Sequence, residues 1–360
     1  MKHLLVYNIR PGMKIGKDVY GSNNLLLVPK DTIVTNPIIT NLLSHDVISI
    51  YIDDSVTPES DEMDSTGFTH QEPTVKETKP FRIFEQRHKK AVNNIQEEFH
   101  RILDTEGPID TEKLLTEVTK IFPEDMSNIS LFDMLHHMRE YDDSTYIHCI
   151  NVGLICNVFG RWLKFSPEDL RALTLSGLLH DIGKLRIPES ILKKPGKLSD
   201  KEYEIIKQHS YLGYQILNKQ KDLDPRIAQA VLLHHERCDG YGYPMGFERS
   251  KIIDFALIVA IADVYDAMTS ARVYREPLCP FTVIKYLESE SMQKYDPHYF
   301  MTFNEQIITT YLNTDVRLSN GKIAKVVYIN RNDLTHPIVK IGKVCIDLSV
   351  KKDIEIVSII

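Results

Sequence analysis

Residues 166–184, SPEDLRALTLSGLLHDIGK, contain the pattern that decides the fold of the central region. Ser166 is a good helix cap, and Pro167 suits the first position of the helix that would follow it. Apolar residues from Leu170 to Leu178 then recur at the spacing of one helical face. The run ends at a histidine and an aspartate. The segment therefore predicts a helix whose carboxyl end presents two side chains that can bind a metal ion.

The same helical period extends over residues 81–313. Ser199 and Glu202 have the spacing of a capping box, and Asp224-Pro225 is a further helix start. Two more helices are predicted from apolar stripes, those of residues 148–159 and 256–266. We therefore predict an all-α central domain.

The central domain is flanked by shorter regions of different composition. Residues 1–52 alternate turn signals with short apolar runs, which is typical of a small α+β module. Residues 53–80 lack apolar periodicity and are rich in acidic residues, so they predict an acidic, flexible linker. Residues 314–360 contain strand-like runs and an Asn320-Gly321 hairpin turn, which predict a small β module. The chain is thus expected to be mainly α, with these modules at its ends.

The net charge of −7 is concentrated in the predicted linker. Eight acidic residues and two lysines between Asp53 and Lys79 account for six of these negative charges. The rest of the chain is nearly neutral and offers no basic face, so duplex nucleic acid is not an expected partner. The longest apolar run, residues 255–262, is far shorter than the roughly 20 residues that span a membrane. Five cysteines without a C-x-x-C pair are typical of reduced thiols, so we expect a cytoplasmic protein without a membrane segment.

Five histidines stand out because they lie on apolar helix faces or beside an acidic residue. They are His148, His180, His209, His234 and His235. A single histidine on such a face is usually a packed core residue. Several histidines that recur with aspartates on separate helices instead favour a metal site, because imidazole and carboxylate together suit iron, manganese or zinc. One carboxylate shared between two ions is a common arrangement, so the residues predict a dinuclear centre.

The remaining histidines are interpreted as structural or surface residues. His136 and His137 form a doublet, but no loop signature or acidic partner at a matching offset accompanies them. The same interpretation applies to single histidines, which include His88 and His100.

Two motifs resemble the signatures of the HD-GYP family, a group of HD-domain metal phosphohydrolases. Residues 180–184, HDIGK, resemble the H-D-x-G-K signature of HD domains. Residues 234–244, HHERCDGYGYP, are similar to the H-H-E-x-x-D-G-x-G-Y-P signature, which fixes eight of eleven positions and is highly specific. Further matches in residues 191–198 and 263–275 extend the resemblance over about residues 140–310.

The resemblance implies a helical domain whose metal centre hydrolyses the second messenger cyclic di-GMP. The ligands, carried over by position, fall into two sets that share Asp181 as a bridge: His148, His180 and Asp263 for one ion, and His209, His234 and His235 for the other. Members with three metals have a glutamate where this chain has Ser144. We therefore expect two divalent ions, iron or manganese, rather than three.

The mechanism expected for such a centre is attack on phosphorus by a hydroxide that the two cations activate. Asp181 and Lys184 are the predicted catalytic residues, and Lys184 can also bind substrate by placing its charge near the phosphoryl oxygens. Arg272 and Arg275 follow Asp263 by nine and twelve residues and are predicted to bind the second phosphate of a cyclic dinucleotide. The alternative is that both arginines are merely solvated.

The loop at residues 239–244 has two open interpretations. Gly242, Tyr243 and Pro244 suit a tight turn on the substrate side that offers aromatic surface to a guanine base. They equally suit a structural turn that only orients the neighbouring histidines. Three acidic residues are predicted to support the site, namely Asp239 as a cap of the loop, and Glu236 and Asp266 behind the ligands.

The sequence thus predicts a phosphodiesterase that converts cyclic di-GMP to pGpG or GMP and lowers cyclic di-GMP signalling. Two alternatives remain: an HD phosphohydrolase of another cyclic dinucleotide, such as cyclic GMP-AMP, and a catalytically silent cyclic di-GMP sensor. Intact side chains at every matched ligand position favour the enzyme over the sensor. Cyclic di-GMP and pGpG are the expected small-molecule partners, and a homodimer is an open alternative for the assembly.

Overall fold

The computed structural model describes residues 2–6, 9, 12–20, 26–35, 38, 42, 47, 49–53, 78–105, 107–122, 128–138, 145–194, 196–270, 278–290 and 293–360. The chain divides into two compact units, residues 1–71 and 72–360. Most of the predicted linker, residues 54–77, lies outside the described residues. The mainly α fold with small β regions towards both ends is confirmed, whereas the predicted domain boundaries stay predictions.

The first unit contains short antiparallel strands around a small core. Its strands are β1 (Lys2–Leu5), β2 (Lys14–Ile15), β3 (Val19–Tyr20), β4 (Leu26–Val28) and β5 (Ser49–Asp53). β5 lies between β1 and β2 in a three-stranded sheet, and β3 pairs with β4. Ile50 and Ile52 of β5 are buried together with Val6, Ile15 and Leu42. Because alternate residues of a strand share a face, β5 turns one face toward this core.

Helices dominate the second unit. In chain order they are α1 (Lys79–Thr105), α2 (Thr111–Ile121), α3 (Asn128–His137), α4 (Thr145–Trp162), α5 (Pro167–Leu179), α6 (Glu189–Leu192), α7 (Asp200–Lys207), α8 (His209–Leu217), α9 (Pro225–Leu233), α10 (Asp254–Thr269), α11 (Pro280–Glu290) and α12 (Pro297–Thr309). A short 3-10 helix, Ile182–Arg186, lies between α5 and α6. Within the described ranges, no helix combines the length and apolar character needed to cross a membrane.

The predicted starts of α5, α7 and α9 are confirmed. The Ser166 hydroxyl accepts a hydrogen bond of 3.1 Å from a backbone amide in the first turn of α5, where Pro167 also lies. Ser199 and Glu202 form the reciprocal capping box of α7. Asp224 caps α9 through its side chain. Local side-chain chemistry therefore fixes where these helices begin.

Glycines allow α4 and α5 to pack closely in antiparallel orientation. A Cβ atom at Gly177 of α5 would lie 2.8 Å from Cys156 Sγ of α4, and one at Gly153 would lie 3.3 Å from the α5 backbone. A side chain at Gly177 would therefore push the two helices apart, and one at Gly153 would be tightly packed. The pairing sets the amino end of α4 beside the carboxyl end of α5, and it thereby brings His148 close to His180.

A second close contact joins the 3-10 helix to α8. A Cβ atom at Gly183 would lie 1.9 Å from the carbonyl oxygen of His209 and 2.5 Å from the amide nitrogen of Gly213. Only glycine leaves room for two backbones at this separation. The segment after Asp181 therefore packs directly on the first turn of α8, which carries His209.

The C-terminal residues form a five-stranded antiparallel sheet. Its strands are β6 (Asp315–Leu318), β7 (Ile323–Asn330), β8 (Asp333–Ile341), β9 (Val344–Asp347) and β10 (Ile356–Ile359), in the order β10-β6-β7-β8-β9. The predicted hairpin turn is confirmed between β6 and β7, where Gly321 has a φ of +78°. Val316, Val326 and Val339 belong to the same buried core as the helices. The sheet and the helices therefore share one hydrophobic core.

Candidate metal centre

Most of the predicted metal ligands lie at helix ends. The amino ends of α4 and α8 carry His148 and His209, and the carboxyl ends of α5 and α9 are followed by His180-Asp181 and His234-His235. Asp263 lies in the carboxyl-terminal half of α10. The structure brings all of these side chains together as two neighbouring groups.

The first group contains His148, His180 and Asp263. One potential ligand atom from each residue lies within 4.8 Å of the others. His148 Nε2 is 2.9 Å from Asp263 Oδ1, and His180 Nε2 is 3.8 Å from the same oxygen. His180 is buried, whereas the other two side chains are partly exposed. A small ligand can therefore approach this group from solvent.

The second group contains Asp181, His209, His234 and His235. Their potential ligand atoms also lie within 4.8 Å of one another. The Nε2 atoms of His209 and His234 are 3.3 Å apart, and Asp181 Oδ1 is 3.3 Å from His209 Nε2. All four residues except His235 are buried. The group thus forms the deeper part of the centre.

The Asp181 carboxylate faces both groups. Its Oδ2 lies 3.3 Å from His180 Nε2 and 3.7 Å from His148 Nε2, while its Oδ1 lies 3.3 Å from His209 Nε2. The two oxygens of one carboxylate thus point toward different sets of imidazoles. This is the placement that a bridging ligand requires, and the ligand assignment itself remains a prediction.

Three of the imidazoles are oriented by backbone carbonyl groups. The Nδ1 atoms of His180, His209 and His234 each lie 2.7 Å from the carbonyl oxygen of the residue three positions earlier. Because a carbonyl oxygen can only accept, each Nδ1 donates its proton and each Nε2 faces the centre. Burial lowers the pKa of His209 and of His234, and it lowers the pKa of His235 to about 3. These three rings are therefore neutral, which is the form that binds metal ions.

The buried acceptor atoms of the centre fit a metal ion. No described residue donates a hydrogen bond to His180 Nε2 or to Asp181 Oδ1, although both atoms are buried. The lone pairs on Nε2 of His209 and His234 face each other across only 3.3 Å. Buried acceptors without a donor are costly, and one divalent cation in each group would satisfy these atoms. Imidazole nitrogens combined with carboxylate oxygens suit iron, manganese or zinc.

Lys184 places a positive charge inside the centre. Its Nζ lies 2.5 Å from Asp181 Oδ2. Burial opposes the charged form of Lys184, but attraction to Asp181 raises the pKa of the amine above its usual value. Burial likewise opposes ionisation of Asp181, yet the charge of Lys184 helps to hold the pKa of that carboxyl well below its ordinary range. Both groups are therefore charged at neutral pH.

His148 is held from two sides. Its Nδ1 lies 2.7 Å from Asp266 Oδ2, and its Nε2 lies 2.9 Å from Asp263 Oδ1. Burial opposes protonation of the ring, but these two hydrogen bonds raise the pKa of His148 to about 10. A metal ion that binds through Nε2 would therefore displace a proton from that atom, while Nδ1 continues to donate to Asp266.

Asn151 also supports the site, and it is not among the residues predicted from the sequence. Its Nδ2 donates to Asp266 Oδ1 at 3.2 Å, whereas His148 contacts Oδ2 of the same carboxylate. The available signal is a polar residue within the apolar run of α4, one helical turn after His148. That signal alone does not distinguish a supporting residue from a chance polar position.

The loop at residues 239–244 is anchored by Glu236. The buried Glu236 carboxylate accepts hydrogen bonds of 2.6, 3.1 and 2.9 Å from three consecutive backbone amides, those of residues 245–247. The Asp239 carboxylate accepts a hydrogen bond of 3.1 Å from the Tyr241 amide. The bonds of Glu236 therefore go to the backbone that directly follows the loop rather than to the predicted metal ligands.

Tyr243 stacks on one of the predicted ligands. Its ring centroid is 4.6 Å from that of His235, with an angle of 28° between the rings. A Cβ atom at Gly242 would lie 2.4 Å from a neighbouring backbone nitrogen, so the loop needs glycine there. Tyr241 and Pro244 are exposed, and Tyr241 is 81% exposed. The stacking supports the interpretation that the loop orients His235. The exposed side chains of Tyr241 and Pro244 are also accessible to a substrate.

Three residues with predicted roles lie outside the described residues. They are Ser144, Arg272 and Arg275. The expected number of metal ions and the proposed contact with a second phosphate therefore stay predictions from the sequence.

Comparisons with known proteins add independent information. Residues 122–299 match a family model described as HD domain. A cyclic di-GMP phosphodiesterase of Pseudomonas aeruginosa is 33% identical over 207 residues, which cover 58% of this chain and 50% of that protein. A 3'3'-cGAMP-specific phosphodiesterase of Vibrio cholerae is 39% identical over 151 residues, which cover 41% of this chain and 34% of that protein. The chain thus spans about half, or less, of the length of these curated relatives.

One solved structure shows the same fold over most of its length. An HDG"Y"P protein from Bdellovibrio bacteriovorus superposes with a TM-score of 0.53 and 17% sequence identity. The match covers 85% of this chain and 99% of that chain. At this identity, the likeness concerns the fold alone.

Proposed function

We propose that this chain, which belongs to the HD-GYP family of HD-domain proteins, is a metal-dependent phosphodiesterase that hydrolyses cyclic di-GMP. The products would be pGpG, GMP or both, and the reaction would lower cyclic di-GMP signalling. The observation that carries the proposal is the Asp181 carboxylate, whose two oxygens face separate sets of imidazoles. A carboxylate shared in this way would hold two divalent ions close enough to act on one phosphate.

The residues of the two groups have distinct tasks in this proposal. Bound divalent ions, iron or manganese, would supply a nucleophile at neutral pH by lowering the pKa of water. Carbonyl groups fix the imidazoles of His180, His209 and His234 so that Nε2 faces the centre. Lys184 is a cation beside Asp181 and can offset charge that develops on the phosphoryl oxygens. Tyr243 restricts the motion of His235 by stacking on its ring.

A second candidate substrate is 3'3'-cGAMP. The 39% identity to a phosphodiesterase specific for that dinucleotide is the observation that favours it. Both cyclic dinucleotides contain two phosphates and at least one guanine, so the metal centre alone does not discriminate between them. The choice depends on contacts to the second base.

The proposal is tested by loading the protein with Fe(II) or Mn(II) and supplying each cyclic dinucleotide separately. We expect metal-dependent hydrolysis of cyclic di-GMP, with pGpG and GMP resolved by chromatography, and no turnover after chelation. Faster turnover of 3'3'-cGAMP would favour the second candidate. Binding of cyclic di-GMP without hydrolysis, in protein that holds two ions per chain, would instead identify a sensor.

Replacing Arg272 by alanine is expected to impair the hydrolysis of cyclic di-GMP selectively. A charge-assisted hydrogen bond to a phosphate contributes about 1.5–3 kcal/mol, so kcat/KM should fall roughly 10- to 150-fold. Hydrolysis of bis(p-nitrophenyl) phosphate should be unchanged, because this ester has only the phosphate that reacts. Steady-state kinetics with both substrates measures the difference.

The matched control for this variant is Arg171→Ala. Arg171 is a half-exposed arginine of α5 that pairs with Glu112, away from the centre. The Arg171→Ala variant should hydrolyse both substrates at the rate of the wild type. Equal damage to both substrates in Arg272→Ala, with metal content intact, would contradict a role in binding the second phosphate.

A further inference from the structure

A buried chain of hydrogen bonds runs from α1 to the candidate metal centre. His148 Nδ1 donates to Asp266 Oδ2 at 2.7 Å, and Asn151 Nδ2 donates to Asp266 Oδ1 at 3.2 Å. Beyond Asn151, its Oδ1 lies 2.9 Å from Nε2 of His88 in α1. His88 is 1% exposed, Asn151 8% and Asp266 1%. Water therefore has little access to any of these three bonds.

The chemistry of the groups fixes the direction of each bond. The Asp266 carboxylate can only accept, and it does so from His148, from Asn151 and from the Ser270 hydroxyl at 3.2 Å. Asn151 therefore has to present its NH2 group to it. The amide oxygen of Asn151 then faces His88, and His88 has to donate from Nε2. Burial lowers the pKa of His88, so its ring is neutral and carries a single proton. The bond to Asn151 places that proton on Nε2.

His88 selects one of two nearly isosteric orientations of the Asn151 amide. A half-turn of the amide would place its oxygen against the Asp266 carboxylate and its NH2 group against the Nε2–H of His88. Both contacts would then be unfavourable, because one would place an acceptor against an acceptor and the other a donor against a donor. The observed orientation lets Asn151 hold Asp266, and Asp266 in turn fixes the ring of His148 through Nδ1.

We propose that His88 is a positioning residue for the metal centre and that it acts through Asn151 and Asp266 on His148. The inference rests on the proposed function, because it concerns the ion that His148 would bind. His88 lies in α1, Lys79–Thr105, which precedes the residues 122–299 that match the HD family model. A helix outside the matched region thus contributes to the geometry of the centre.

The test measures Mn²⁺ binding by the electron paramagnetic resonance signal of the free ion. In His88→Leu, one of two ions per chain should bind about 3- to 10-fold more weakly, because His88 is two steps beyond Asp266, the residue that contacts the predicted ligand His148. The ion held by the His209, His234 and His235 group should bind as in the wild type. A purely structural role for His88 would not weaken one ion selectively.

Two further variants sharpen this test. His88→Gln keeps an N–H donor at the end of the side chain, and it should bind both ions within about 2-fold of the wild type. His100→Leu removes another histidine of α1, whose Nε2 lies 3.1 Å from the Tyr146 hydroxyl near the surface, and it should change neither ion. Should His88→Leu fail to fold, His88→Phe keeps an aromatic ring without the donor and carries the same expectation.

The outcomes separate this inference from the proposed function. Wild-type protein that binds no Mn²⁺ would overturn both. Wild-type protein that binds two ions, together with a His88→Leu variant that binds both as tightly, would overturn only the role of His88. Equal weakening of both ions, or failure of His88→Gln to restore binding, would assign His88 to general packing and would also overturn the inference.

Discussion

Replacing Asp181 by asparagine is expected to remove bound metal and to reduce cyclic di-GMP hydrolysis by well over 100-fold. Loss of a residue behind a metal ligand costs about 10- to 100-fold in affinity or activity. Asp181 faces both groups of imidazoles, so its loss would affect both ions at once. Asparagine keeps the shape of the side chain but lacks its charge and one of its two acceptor oxygens. The partner of Lys184 would be lost as well.

This expectation is measured by the metal content per chain and by the turnover of Mn²⁺-loaded protein. Asp169→Asn is the matched control, because Asp169 also belongs to α5 but forms its ion pair with Arg226, outside the centre. It should retain both ions and full activity. Two ions per chain in Asp181→Asn would contradict the bridging assignment.

Replacing Gly183 by alanine is expected to destabilise the second unit by about 3 kcal/mol or more, at the upper end for an overpacked site. The added Cβ atom would lie 1.9 Å from the His209 carbonyl oxygen, which is backbone and cannot rotate away. The 3-10 helix would have to move off α8. The melting temperature should fall by roughly 5 °C or more for a unit of this size. The same movement would separate His209 from Asp181, so metal binding should weaken too.

Gly321→Ala is the control for this variant. It shows how much stability is lost when a glycine is replaced at a site without a steric clash. Apart from the two chain neighbours of Gly321, no described residue has an atom within 4 Å of the added Cβ, although the φ of +78° makes the substitution strained. We expect a cost of about 1 kcal/mol from the backbone strain alone, and unchanged metal binding. A Gly183→Ala protein that has the melting temperature of the wild type and binds two ions would contradict this expectation. It would show that the 3-10 helix and α8 can move apart without a loss of stability.

The helix starts were predictable because their causes are local. Ser166, Ser199 and Asp224 each bond to amides within the next turn, so a short stretch of sequence contains the whole interaction. The turn at Asn320-Gly321 is local in the same sense. Side chains at helix ends that suit a metal ion were also visible in the sequence, and the structure brings them together.

The supporting contacts were not predictable because their partners are far apart in the sequence. His148 and Asp266 are 118 positions apart, and His88 and Asn151 are 63 positions apart. A histidine in an amphipathic helix such as α1 has no local feature that separates a surface residue from a buried donor. The contacts of Glu236 were not predictable either, although their partners are near in the sequence. Its position next to His235 does not reveal that its carboxylate accepts hydrogen bonds from the backbone that follows the loop.

The hydrophobic core does not stop at the limits of the family match. The match covers residues 122–299, whereas one continuous core extends from Phe81 in α1 to Ile359 in β10. A fragment trimmed to the matched residues would leave the apolar surfaces that now contact α1 and the C-terminal sheet open to water. Such surfaces promote aggregation. The region that shares one core is therefore larger than the region that matches the family model, and both flanks have to be synthesised before that core can form.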